Sequence, residues 1–188
     1  TNDNSAWDNV GRLAEALYDD KSLLVYQRRL VSLNPHNEAA ILKLVQVYER
    51  LGQPLEGLDF LAQLANNSKA KRTLLTAEAN LAERAGQDER AIATFSRLIN
   101  NFPPVETTWL LRRAALWFQR GKVLEAWHSL NEIEAKIAPR NADYWHTYAE
   151  LSRLLNKKEA AERAYQHLTT EFVFDDGDLT NYSALQND

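Results

Sequence analysis

The sequence predicts an all-α fold, built as an array of about five helical hairpins with a partial helix after them. Gly52, Gly86 and Gly121 stand 34 and 35 residues apart. Apolar residues at helical spacing, on one face of each segment, precede and follow all three glycines. The six Gly and five Pro are few for 188 residues, and no regularly spaced strand pattern occurs. Helices joined by short bends at a fixed period account for all of these features.

The recurring glycine predicts a tight bend between the two helices of a hairpin. A left-handed backbone at a helix C-terminus is adopted most easily by a residue without Cβ. Asn156 follows Gly121 by 35 residues, and asparagine tolerates the same conformation. We therefore expect equivalent bends at Gly52, Gly86, Gly121 and Asn156.

A small residue and a large residue follow each bend at constant spacing. The small residue stands five positions after the marker and the large one four positions later, as in Gly57 and Leu61, Ala91 and Phe95, Ala126 and Leu130, Ala161 and Tyr165. The spacing places both on one helical face. The small residue lets the second helix approach the first, and the large one fills the groove between them. Because one hairpin cannot bury its apolar face alone, successive hairpins must stack into a superhelix.

This pattern resembles the tetratricopeptide repeat, a family of 34-residue helical hairpins. The matching residues are Ala91, Phe95 and Pro103 in the third hairpin; Trp145, Tyr148, Ala149, Ala161 and Tyr165 in the fifth; and Trp7, Gly11, Tyr26 and Pro35 in the first. The first hairpin is about one residue short at its bend. The resemblance implies a right-handed superhelical solenoid with hairpins at 4–37, 38–71, 72–106, 107–141 and 142–172.

Two regions depart from the family pattern. Glu78 stands where a large aliphatic residue is expected, so we expect the third hairpin to pack loosely or in a shifted register. Residues 173–188 are read as an acidic linker and a partial or capping helix. Leu179, Tyr182 and Leu185 have helical spacing there.

The chemistry-bearing residues indicate a protein that is not an enzyme. Cysteine is absent, the four histidines form no His-x-x-x-His or His-Glu-x-x-His motif, and no phosphate-binding loop or nucleophile motif occurs. No cofactor or metal is therefore expected. The net charge is −4, and residues 1–170 hold 22 basic and 21 acidic residues. This balance gives no basic surface for nucleic acid. No apolar run is long enough to span a membrane.

The resemblance implies that the first helix of each hairpin lines a concave groove, which would bind a protein or peptide partner. Carried over position by position, the groove-facing positions are Asp8, Asn9, Arg12, Leu42, Lys43, Gln46, Thr76, Asn80, Arg84, Leu111, Arg112, Ala115, His146, Thr147 and Glu150. The candidates for contacting a partner among them are Asn9, Arg12, Lys43, Gln46, Asn80, Arg84, Arg112 and His146. Their order does not reproduce the two-carboxylate clamp of chaperone-binding members. Trp109 and Phe118 lie off the predicted core stripe. They are candidate aromatic anchors for a partner, with packing between hairpins as the competing interpretation.

A second and looser resemblance concerns the segment Tyr48-Glu49-Arg50-Leu51-Gly52-Gln53-Pro54. It is similar to periplasmic tetratricopeptide regions of bacterial exopolysaccharide export proteins of the Pel and cellulose type. That resemblance implies an excerpt of a longer outer-membrane protein in biofilm formation. Its partner would be a polysaccharide-modifying enzyme, and a periplasmic location is favoured over a cytoplasmic one. The alternatives are a module that binds glycan directly and the non-catalytic part of a larger enzyme.

Overall fold

The computed structural model describes residues 2–67, 71–134, 141–172 and 176–187. In these ranges the chain forms helices joined by turns. They are, in order, α1 Asn2–Ala16, α2 Asp20–Leu33, α3 Glu38–Arg50, α4 Pro54–Asn67, α5 Arg72–Arg84, α6 Asp88–Asn101, α7 Thr107–Gln119, α8 Val123–Glu134, α9 Ala142–Leu154, α10 Lys158–Glu171 and α11 Asp176–Asn187. The prediction of an all-α fold of helical hairpins is confirmed.

The chain divides into two compact units, an N-terminal unit of residues 1–97 and a C-terminal unit of residues 98–188. In the N-terminal unit each of α1 to α4 packs on the next helix, and α3 also contacts α5. In the C-terminal unit each of α7 to α10 packs on the next helix, and α7 contacts α9. Within each unit, therefore, successive hairpins stack mainly by packing the second helix of one on the first helix of the next.

The bends between paired helices have the predicted left-handed backbone. Gly52, Gly86 and Gly121 have φ of +69°, +67° and +71°. Asn156 has φ of 54° in the equivalent bend, and so does Tyr18 in the bend of the first hairpin. The prediction of equivalent bends is thus confirmed. Tyr18 stands in a bend where the period of the other hairpins would place a glycine.

Alanine in place of Gly121 is expected to lower the free energy of unfolding by about 1 kcal/mol, because a side chain disfavours the left-handed backbone. A Cβ added there would meet no atom within 4 Å, so the cost is backbone strain alone. The control is Asn156→Gly, which is expected to change the free energy by less than about 0.5 kcal/mol. Urea denaturation followed by circular dichroism measures both. Equal effects for the two variants would contradict the assignment of strain.

The small and large residues after each bend are buried as predicted. Ala91, Ala126 and Ala161 have no exposed surface, and Phe95 and Leu130 are buried beside them. At Gly57 an added Cβ would lie 3.2 Å from Leu81 Cδ2 and 3.3 Å from Tyr48 Cβ. The close approach of paired helices therefore depends on these small residues.

The first helix of a hairpin carries a second buried stripe, which we call the seam. Its positions lie 12, 8 and 5 residues before the bend marker. They are occupied by Ala40, Leu44 and Val47 on α3, Leu74, Glu78 and Leu81 on α5, Trp109, Arg113 and Leu116 on α7, and Tyr144, Tyr148 and Leu151 on α9, all of them buried. The helix packed against α3, α5 and α9 on the preceding side is α2, α4 and α8 respectively. α3, α5 and α9 are thus each packed against a helix of the preceding hairpin.

Glu78 is a buried seam residue held by arginines of the second helix. Its Oε1 lies 3.3 Å from Arg90 Nε, and its Oε2 lies 3.7 Å from Arg97 Nη1. Arg90 also pairs with Asp59 at 3.0 Å, which links the third hairpin to the second. The expectation of loose or shifted packing is wrong, because two guanidinium groups replace the missing aliphatic contact and Leu75, Ala79 and Ala82 are buried around it.

A cluster of aromatic side chains forms the core of the C-terminal unit. Tyr148 lies with its ring centroid 5.9 Å from Trp127, 6.0 Å from Tyr144 and 6.1 Å from Trp145. Two buried polar groups of the cluster have partners within the C-terminal unit. Trp127 Nε1 donates to Ser152 Oγ at 2.8 Å, and Tyr144 Oη donates to the Leu130 carbonyl at 2.9 Å. The cluster joins α8 to α9.

The helix predicted after the fifth hairpin is present as α11. Its Tyr182 ring lies 5.5 Å from the ring of Tyr165 on α10, and α11 packs on α10. The acidic linker predicted before this helix falls mainly on residues 173–175, which lie outside the described residues, as does the side chain of Leu179.

Candidate partner-binding groove

In the N-terminal unit, the predicted groove cations are paired with acceptors on the first helices. Lys43 Nζ on α3 lies 3.0 Å from Glu15 Oε1 on α1. Arg84 on α5 donates from Nε and Nη2 to the two carboxylate oxygens of Glu49 on α3, at 2.6 and 3.0 Å. Arg12 donates to Asn9 within α1 at 3.2 Å. Ion pairs therefore connect α1 to α3 and α3 to α5.

These ion pairs determine which ligands can bind to the face formed by α1, α3 and α5. Because both partners of each ion pair are at least one-third exposed, each pair contributes about 0–1 kcal/mol to stability. A ligand carboxylate would have to compete with Glu15 for Lys43 and with Glu49 for Arg84. Gln46 is exposed and Asn80 is half-buried on the same helices. The face therefore carries alternating charges rather than an open cationic clamp.

In the C-terminal unit, α7 and α9 enclose an open groove of about 460 Å³. The small side chains of Ala114 and Ala115 on α7 leave room for the groove. The larger apolar side chains of Phe118, Leu151 and Leu154 line it. The lining residues are Ala114, Ala115, Phe118, His146, Thr147, Glu150, Leu151 and Leu154. Phe118 and Leu154 are 49% and 51% exposed. Large apolar side chains held half in solvent beside a groove are typical of a surface that binds a partner.

The polar residues of this groove lie on α9 and are already oriented. Glu150 accepts from Arg153 Nη2 at 3.1 Å and from Asn181 Nδ2 of α11 at 3.3 Å. Thr147 donates its hydroxyl to the Asp143 carbonyl at 2.8 Å. The groove thus has an apolar wall ending in Phe118 and a polar wall that carries the Glu150 carboxylate and the His146 imidazole.

The predicted binding residues of the C-terminal unit differ in whether they line the groove or are buried. His146 and Phe118 line the groove, and Arg112 is half-buried on α7. Trp109 as an exposed anchor is wrong, because its ring is 3% exposed. It occupies the first seam position of its hairpin, which corresponds to Tyr144 in the next hairpin.

Three of the lining residues were missed by sequence reasoning. Ala114, Leu151 and Leu154 belong to the groove, yet no position carried over from the family pointed to them. Leu154 follows Glu150 by one helical turn, so helical spacing from the predicted groove position could have identified it.

Buried charge near the groove has a structural explanation. Arg113 lies at the seam of α7 and donates from Nη2 to the Ser129 carbonyl at 3.1 Å. Burial lowers the pKa of its guanidinium below the ordinary value, and Glu132 opposes that shift. Among the described residues no group of three or more His, Cys, Asp or Glu side chains could hold a metal ion. None of the helices that the structure describes is long and apolar enough to cross a membrane.

Stacked two-helix units with glycine bends and a small-to-large packing pattern define a helical repeat protein. Two family models described as tetratricopeptide repeat match it, one over residues 97–182 and the other over residues 74–104. Together they span residues 74–182, more than half of the chain. Residues 74–182 therefore belong to the tetratricopeptide-repeat family. No curated protein sequence matches it.

Solved structures with the same fold are distant in sequence. MamA is 13% identical, with a TM-score of 0.59 over 95% of this chain and 98% of its own. PilF of Pseudomonas aeruginosa is 12% identical, with a TM-score of 0.58 over 97% of this chain and 82% of its own. YrrB, described as a repeat protein with an unusual peptide-binding site, is 13% identical, with a TM-score of 0.56 over 96% of this chain and 90% of its own. At these identities the likeness concerns the fold.

Proposed function

We propose that the chain is a protein-interaction scaffold whose partner places an apolar side chain in the groove between α7 and α9. The observation that carries this proposal is the half-exposed Phe118 ring beside a groove of about 460 Å³. Enclosing one leucine or phenylalanine side chain there would contribute about 1.5–3 kcal/mol to binding. A basic or amide group of the partner next to that apolar residue would compete with Arg153 and Asn181 for the Glu150 carboxylate.

Charge placed on the groove wall tests the proposal. With the chain as bait in lysate of its source cells, Phe118→Glu is expected to lose the bound partner, because an ionised carboxylate cannot be desolvated in an apolar groove. Leu124→Glu is the matched control, since Leu124 is 47% exposed on α8 and does not line the groove. Quantitative mass spectrometry of the captured proteins is the measurement. A partner retained by Phe118→Glu at the level of the control would rule the groove out.

We further propose, from the sequence resemblance alone, that the scaffold lies in the periplasm and belongs to an exopolysaccharide export system, with a polysaccharide-modifying enzyme as its partner. The support is the similarity of residues 48–54 to such export proteins. Enrichment of that class of enzyme on the wild-type chain, and its loss on Phe118→Glu, is the expected result. Enrichment of cytoplasmic proteins alone would contradict the proposed location.

Direct glycan binding is the competing function. One observation favours it: the Phe118 ring lies beside the polar side chains His146 and Glu150, an arrangement that suits stacking on a sugar. The burial of Trp109, Trp127 and Trp145 removes three of the five tryptophans from that role. Titration of charged and neutral oligosaccharides, followed by heteronuclear NMR of the α7 and α9 amides, distinguishes the functions. Shifts with oligosaccharide alone would favour glycan.

A further inference from the structure

Two clefts of the C-terminal unit meet at the start of α10. One, of about 420 Å³, lies between this helix start and α11, and the other, of about 440 Å³, lies between it and α8. Asn156, Lys157 and Lys158 line both clefts, Arg153 lines the first and Arg163 lines the second. Four basic side chains therefore border a pair of adjoining clefts.

Little negative charge offsets these basic side chains. Among the described residues that line the two clefts, Glu159 is the one that carries a carboxylate. Arg153 is paired with Glu150 at 3.1 Å, whereas no ion pair in the described parts of the chain involves Lys157 or Lys158. The wall that the two clefts share is therefore positively charged.

The preceding hairpin shows how a lysine at this bend is compensated elsewhere. Lys122 stands 35 residues before Lys157, and its Nζ lies 3.9 Å from Glu125 Oε1 on the first turn of α8. The residue equivalent to Glu125 in the fifth hairpin is Ala160, which is buried. The carboxylate that pairs with the lysine of the fourth hairpin thus has no counterpart in the fifth.

The two lysines also oppose the dipole of α10. Lys157 is the N-cap residue, whose side chain makes no capping hydrogen bond, and Lys158 is the first residue of the helix. Because the N-terminus of a helix carries a partial positive charge, cations there lower its stability. Asp88 and Val123 begin α6 and α8 instead. Proteins accept such local costs mainly at functional sites, and a bound anion would offset this one.

The side chains favour phosphate over carboxylate. A planar carboxylate is matched best by the guanidinium fork, and that of Arg153 already donates to Glu150. A lysine ammonium is a compact charge with three donors, which suits the oxygens of a phosphate group. Lys157 Nζ lies 4.3 Å from the centroid of the Trp127 ring, a contact that positions the ammonium group without neutralising its charge. Basic residues in both clefts favour a ligand with more than one phosphate group.

We propose that the paired clefts at the start of α10 bind a small ligand of linked phosphate groups, such as a short inorganic polyphosphate, with Lys157 and Lys158 contacting it from the wall that the clefts share. The proposal does not depend on the partner-binding role of the groove between α7 and α9, which neither lysine lines.

Isothermal titration calorimetry at constant ionic strength tests this site. Tripolyphosphate is expected to bind the wild-type chain at least about tenfold more tightly than orthophosphate, because its linked groups engage both clefts together. Lys158→Glu is expected to weaken tripolyphosphate binding by about tenfold or more, since repulsion replaces a charge-assisted hydrogen bond. The matched control is Lys21→Glu, which makes the same change of charge at an exposed residue in the first turn of α2. This control is expected to bind as the wild type does.

Circular dichroism shows whether each variant keeps its helices, and Lys158→Gln replaces Lys158→Glu if the latter does not fold. Absence of tripolyphosphate binding to the wild-type chain would overturn the proposal. Equal weakening by Lys158→Glu and Lys21→Glu would overturn it as well, because binding would then follow net charge alone. Citrate that binds as tightly as tripolyphosphate would assign the clefts to carboxylates and contradict the proposed ligand.

Discussion

Alanine in place of Arg90 is expected to lower the free energy of unfolding by about 3 kcal/mol. The change removes the guanidinium group that lies 3.3 Å from the buried carboxylate of Glu78. Among the described residues, Arg97, at 3.7 Å, is then the remaining ion-pair partner of that carboxylate. A buried charge that loses its partner is costly because the surrounding side chains cannot replace its hydration. The link from Arg90 to Asp59 on α4 is lost at the same time.

The double variant Glu78→Leu with Arg90→Leu is the control for this result. It removes both charges and restores an aliphatic residue at the seam, so its stability is expected to lie within about 1 kcal/mol of the wild type. Urea denaturation followed by circular dichroism measures both proteins. If Arg90→Ala and the double variant are equally destabilised, the cost comes from lost packing and the account of a stranded charge is wrong.

Alanine in place of Tyr148 is expected to lower the free energy of unfolding by about 3–5 kcal/mol. Its ring has no exposed surface and contacts three other aromatic rings of the C-terminal unit. Truncation therefore leaves a cavity between α8 and α9 that rigid neighbours cannot fill.

Tyr148→Phe separates the ring from its hydroxyl. The Tyr148 hydroxyl donates to Asn131 Oδ1 at 2.8 Å, and loss of this bond alone is expected to cost about 1 kcal/mol. Because most tryptophans of the chain lie in the C-terminal unit, unfolding followed by tryptophan fluorescence measures the effect there. Equal losses for the alanine and phenylalanine variants would show that the hydroxyl, and not the ring, stabilises the cluster.

Local sequence chemistry predicts the hairpins well. A bend with positive φ needs glycine or a tolerant substitute, so Gly52, Gly86, Gly121 and Asn156 mark the bends whatever surrounds them. Close contact of two paired helices needs a small residue, so Ala91, Ala126 and Ala161 mark the line of approach. Both signals depend on residues that are near in sequence.

The seam between hairpins was missed because a single apolar stripe was sought on each first helix. Such a helix has neighbours on two sides, and the second stripe tolerates residues as different as Ala40, Glu78 and Trp109. This second stripe is not recognisable from its composition, although its position before the bend is constant. For the same reason Trp109 was read as a candidate for exposure, and Glu78 as a sign of loose packing.

The groove was predicted in part. His146 and Phe118 were identified from family position and from the off-stripe placement of an aromatic ring. The depth of the groove depends on Ala114 and Ala115 of α7 facing Leu151 and Leu154 of α9, which is a relation between two hairpins. Nor does sequence spacing reveal that Lys43 and Arg84 are already paired with carboxylates of neighbouring helices.

Site-specific photocrosslinking in the source cells tests the partner-binding role of this groove most directly. A photoreactive phenylalanine derivative is placed at Phe118 in one protein and at Leu124 in another, two positions of similar exposure on adjacent helices. The account predicts a discrete adduct with a partner protein from position 118 and none from position 124. An adduct from position 124 together with none from position 118 would contradict it.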